Sequence, residues 1–185
     1  NKIGRIADAF FAVLFLLFAL CQNIAVTENY GLAVVTGNLV MILVVGLFWV
    51  WEVYKPQNEY VFDRLSLWRY WVIPFCLLAF WFPLNADGTP NFSPLLLLTS
   101  DFGVMFCPTA PVVIAILSLI YPRVNKRLLS ITSFVSFLVG LFNAMALFVM
   151  SGYTYYVFIL HTPLIVIPLY GLVIPSIASE KVRAK

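Results

Sequence analysis

Histidine occurs once in this sequence, at position 161, and that scarcity removes several chemistries. A HExxH zinc site and a bis-histidine haem site each need two. The three cysteines, Cys21, Cys76 and Cys107, form no CxxC pair and have no zinc-ligand spacing with the histidine. Each lies in an apolar stretch, where a thiol packs as a small buried residue. There is no GxSxG nucleophile elbow and no phosphate-binding glycine loop; the nine glycines are scattered. No metal-ligand set and no catalytic motif can be read, and nothing specifies a cofactor. The longest basic run is Lys126-Arg127, too short for a nucleic-acid footprint.

Charge is the second shortage. Only 10% of the 185 residues are charged, against roughly 25% in soluble domains. With 63% hydrophobic residues and a mean hydropathy of +0.99, the composition is that of a polytopic membrane protein. Lys2 and Arg5 before an apolar run ending Ala19-Leu20-Cys21 imitate a lipoprotein signal. Leu20 is too large for the position before a lipidated cysteine, and the run reads as a first transmembrane helix. Six apolar segments follow one another at about 6–25, 30–51, 66–84, 95–121, 128–150 and 153–174. The expected fold is all-α, with residues 1–185 forming a single six-helix transmembrane domain and no room for a soluble one.

The cations orient it. Lys and Arg fall at the amino terminus (Lys2, Arg5), in the second connection (Lys55, Arg64, Arg69), in the fourth (Arg123, Lys126, Arg127) and in the tail (Lys181, Arg183, Lys185). The first, third and fifth connections have none. By the positive-inside rule this predicts six crossings of the cell membrane with both termini cytoplasmic. Trp49, Trp51, Trp68 and Trp71 then fall at the inner interface and Trp81 at the outer. Residues 58–68 alternate charge with bulky apolar groups, which suits either a short interfacial helix or an extended start to the third span.

The fourth segment is the unusual one. Pro108 and Pro111 remove two backbone donors, so the span is expected to break at Cys107–Pro111. Asp101 within it calls for a partner, because an acid inside a span costs about 2.5–3.5 kcal/mol. If instead residues 92–100 form a surface helix, the span starts near Phe102 and Asp101 reaches interfacial water.

At about 1.5 Å per residue, Asn38, Asp101, Asn143 and His161 lie roughly 9–12 Å below the outer interface. Gln22 and Asn23 sit at the outer end of the first span, and the inner half holds little beyond hydroxyls. These depths predict a polar, ligand-binding pocket open to the extracytoplasmic side, with Asp101 and His161 as its ionisable pair and Cys107 and Thr109 on its floor. The blander reading has Asn38 and Asn143 bonding across neighbouring helices and His161 satisfied at a kink. Thr132, Ser136, Gly140 and Ala144 recur every four residues and predict a small-residue packing ridge, internal to the bundle or docking another chain.

In size and topology the chain resembles the substrate-binding components of energy-coupling-factor transporters. Their Ala-x-x-x-Ala docking pattern is missing, since Ala7, Ala9, Ala12 and Ala19 do not fall four apart. The function expected from these residues is small-molecule binding or transport. Alternatives are a non-catalytic accessory subunit of a membrane complex and a membrane-embedded lipid-modifying enzyme using Asp101 and His161. Partners would be the lipid bilayer, a small-molecule ligand, and other membrane subunits or a second copy.

Overall fold

The computed structural model describes residues 2–28, 31–62, 67–85, 89–149 and 155–183. Side chains are described for these except 67, 68, 146–149, 155 and 178–183. The chain is mostly helical: α1 Lys2–Cys21, α2 Thr36–Tyr54, α3 Val72–Trp81, α4 Phe106–Ile120, α5 Lys126–Val149, α6 Tyr155–His161 and α7 Pro163–Arg183. Among the described residues, four helical stretches are long and apolar enough to cross a membrane: Lys2–Cys21, Thr36–Tyr54, Lys126–Met145 and Tyr156–Ile177. The last runs from α6 into α7 through a tight turn, in which Thr162 N–H bonds Ile159 O at 3.1 Å and Pro163 opens the next helix. Arg69–Trp81 and Phe106–Ile120 are apolar but shorter. Fifteen residues of α4 rise only about 22 Å, less than the ~30 Å hydrocarbon core.

α4 meets protein on nearly every side. Twelve of its fifteen residues are buried, and it packs against α3, α5 and α7. A helix apolar all round belongs in such a central position. α1 lies along α2, and its Phe11, Phe15 and Phe18 fill the space beside Trp49 and Phe106. Consecutive crossings run antiparallel, so one end of the bundle collects the ends of α1, α3 and α5 with the starts of α2 and α4. The other collects the starts of α1 and α5 with the ends of α2 and α4.

Three expectations need correction. The fourth segment is not broken at Cys107–Pro111; α4 runs continuously through it. Pro108 sits in the first turn, where the N–H has no acceptor in any case, and Pro111 forfeits one bond just inside. The interruption lies at 98–105, preceded by a 3₁₀ turn at Pro94–Leu97, nearer the reading that starts the span late. The first connection is a β-hairpin, β1 Ile24–Thr27 paired antiparallel with β2 Gly31–Val34, so α2 begins at Thr36 rather than near 30. Trp49 is not interfacial: it is fully buried, its ring stacked on Phe15 at 6.1 Å. Residues 58–62 form no helix, and residues 63–66 and the Trp68 side chain lie outside the described set.

The ridge on α5 faces inward. Thr132, Ser136, Gly140 and Ala144 are all buried. A Cβ at Gly140 would stand 2.7 Å from Leu164 O of α7. Small side chains here let two backbones approach where larger ones would not fit.

Candidate ligand-binding site

At the end of the bundle where α1 finishes, a cavity of about 470 Å³ opens between α1, α2, α4 and α5. Its polar lining is Gln22, Asn23, Asn38, Asn143 and Cys107. Ile42, Val104, Met105, Phe106 and Val139 complete the wall. The volume is in the range of small-molecule sites, and the chemistry is an apolar chamber with a few placed amides.

Two of the amides build the wall. Gln22 donates from Nε2 to Val104 O at 2.6 Å and accepts from Phe106 N at 3.1 Å, joining the end of α1 to the start of α4. Asn23 donates from Nδ2 to Phe18 O and Ala19 O at 2.9 and 3.2 Å, meeting carbonyls that the end of α1 leaves open. Asn143 donates from Nδ2 to Cys107 Sγ at 3.3 Å, which leaves its carbonyl oxygen uncommitted. The Asn38 side chain, half-buried in the first turn of α2, has no hydrogen-bond partner among the described residues. Its amide offers two donors and an acceptor to whatever enters.

The loop over this chamber is held by Thr109. Its hydroxyl donates to Met105 O at 2.6 Å and accepts from Gly103 N at 2.8 Å. Gly103 has φ +82°, a left-handed conformation that favours glycine. Thr109 is buried behind the wall rather than part of it.

Asp101 and His161 are not brought together. Asp101 is half-buried in the 98–105 turn, where its backbone carbonyl accepts from Val104 N and Met105 N. His161 donates from Nδ1 to Val157 O at 2.8 Å, since a carbonyl only accepts, and its ring meets the edge of Phe82 at 6.0 Å. Neither residue lines the cavity, and among the described residues no hydrogen bond or ion pair joins them. The chamber therefore presents neutral amides and a thiol, with no carboxylate or ammonium at its wall.

The opposite end holds polar residues that depth counting from the outer face overlooked. Asp8 and Glu52 are fully buried, with Asn58 and Asn125 beside them. Asp8 Oδ1 accepts from Asn58 Nδ2 at 3.0 Å and Tyr60 OH at 2.7 Å. Glu52 Oε1 accepts from Asn58 N at 2.7 Å and from Gln57 N, and Oε2 from Asn125 Nδ2 at 2.7 Å. Burial, followed by the bond to Asp8, raises the Tyr60 hydroxyl pKa well above its ordinary value, so it stays a donor. Helical spacing carried the signal: Asp8 precedes Phe11 and Phe15 on one face, and Glu52 follows Val45 and Trp49 on another. Among the described residues no three of His, Cys, Asp and Glu come together as a metal site.

The chain matches no protein-family model, no curated protein and no solved structure, so its chemistry is read from this geometry alone.

Proposed function

We propose that this chain is a six-crossing protein of the cell membrane, with both termini cytoplasmic, that binds an uncharged small molecule as a binding or transport subunit. The observation that carries the reading is the cavity itself. Four helices converge there, and Asn38 presents to a mostly apolar cavity an amide that no described residue bonds. An ionised ligand would meet no counter-charge at the wall, whereas a neutral molecule with one or two hydroxyl or carbonyl groups would satisfy the amides.

The topology draws its support from the cations. Arg5, Lys55, Arg69, Arg123, Lys126 and Arg127 all fall on connections or helix ends at the side away from the cavity. The positive-inside rule makes that side cytoplasmic and the cavity extracytoplasmic. α3 and α4 complete the six crossings, α4 shielded from lipid by its neighbours.

Native mass spectrometry of the purified chain tests the reading. The expected spectrum contains a retained molecule of a few hundred daltons, lost from Asn38→Ala and kept in Asp101→Asn and His161→Ala. A wild-type spectrum without any retained molecule, from protein extracted directly from its membrane, would contradict it.

A further inference from the structure

At the end away from the cavity, two buried carboxylates share one hydrogen-bonded network in which no described residue supplies a cation. Asp8 and Glu52 are both fully buried, and every donor that reaches them is neutral: two backbone amides, two asparagine side chains and the Tyr60 hydroxyl. No Lys or Arg among the described residues pairs with either. Arg5, on the same helix as Asp8, is exposed. Lys55, at the end of α2, lies 4.8 Å over the Trp51 ring. Arg123 pairs with Glu59 at 4.0 Å, and Lys126 and Arg127 at the start of α5 are exposed. One atom stands apart: Asp8 Oδ2 is sealed from solvent and has no hydrogen-bond partner.

Two ionised carboxylates sharing a dry site repel, and a buried charge persists only when paired or neutralised. Three donors account for Glu52, two account for Asp8 Oδ1, and Oδ2 is left open. We propose that the Asp8–Glu52 cluster binds one small cation, a proton or an alkali-metal ion, at the end of the bundle opposite the cavity. A proton needs only Asp8 Oδ2. An alkali ion would take Oδ2 together with the spare lone pairs of Glu52 Oε2, which accepts a single bond. The site is independent of the cavity and stands or falls without it.

The test uses the full chain purified in detergent. Tm is measured in sodium, potassium and choline chloride at equal ionic strength, and the infrared spectrum is recorded at neutral pH. An alkali-ion site shows a higher Tm in sodium or potassium than in choline, a difference abolished by Asp8→Asn. A proton site shows equal Tm in the three salts and a buried carboxylic-acid carbonyl band that Asp8→Asn removes. The proposal is overturned if the unaltered chain shows neither salt specificity nor such a band, a result that does not depend on any variant folding. It is overturned equally if Glu52→Gln and Asp8→Asn both fold and leave the salt difference or the band unchanged.

Discussion

Asn125 donates from Nδ2 to Glu52 Oε2 at 2.7 Å while its own Oδ1 accepts from Arg127 N at 3.0 Å and Leu128 N at 3.3 Å. One side chain thus caps the start of α5 and satisfies a buried carboxylate at the end of α2. Asn125→Ala removes both roles. The lost cap costs about 1 kcal/mol and the unmet carboxylate oxygen about 1–3 kcal/mol. A clear fall in Tm is expected, and Asn125→Asp, which keeps the cap but faces Glu52 with a second charge, should also destabilise the fold. An Asn125→Ala protein as stable as wild type would show that this linkage contributes nothing to stability.

Gly140 tests the contact between α5 and α7. Its added Cβ would meet the Leu164 carbonyl at 2.7 Å, and backbone cannot yield as a flexible side chain can. Gly140→Ala is expected to cost about 1–3 kcal/mol by overpacking. Gly37, where an added methyl group would have nothing within 4 Å, is the control, and Gly37→Ala should be neutral or slightly stabilising. Differential scanning fluorimetry of the two variants separates the outcomes; equal Tm values would contradict the close approach.

The half-buried Tyr60 hydroxyl gives the fold an alkaline limit. Its pKa is raised in the folded chain, chiefly by burial and then by its bond to Asp8, so the folded state holds a proton that the unfolded chain releases near 10. The sign follows: this contribution is fully present below that value and is lost as pH climbs above it. Stability should fall on the alkaline side, and Tyr60→Phe should flatten the slope while lowering stability at neutral pH through the donor lost to Asp8. Tm measured against pH for both proteins checks it.

Thr109 ties the loop over the cavity to α4 through two bonds of one hydroxyl. Thr109→Val keeps the shape and loses both. Gly103 N is left without that acceptor, at a cost of about 1–2 kcal/mol. Proteolysis within 98–105 should accelerate while the helices stay protected. Unchanged cleavage would mean that the loop is held by something else.

Much of the helical layout could be read from apolar runs, because a span is long enough for its composition to speak alone. The start of α4 could not. Whether Pro108 breaks a helix or opens one depends on where that helix begins, and that is set by Gln22, 84 residues earlier, bonding Phe106 N. Counting depth put Asn38 and Asn143 at one level, with Gln22 and Asn23 at the outer end of the first span and Cys107 on the floor, and the structure puts these five around one cavity. The same counting gave Asp101 and His161 equal depth but not azimuth, and the two side chains settle in different surroundings. Asp8 and Glu52 escaped notice because each lies within about two turns of a helix end. There an acid reads as interfacial unless the helical face it shares with Phe11 or Trp49 is considered.

Which side of the membrane the cavity faces is the most direct question to put to the protein. Val104 is exposed at the cavity wall, and Arg123 is exposed on a connection at the opposite end. Each is replaced singly, Val104→Cys and Arg123→Cys, in a chain whose three cysteines are changed to serine, and intact cells are treated with a membrane-impermeant maleimide. An extracytoplasmic cavity predicts modification of Val104→Cys in intact cells and of Arg123→Cys only after permeabilisation; the reverse pattern would contradict it.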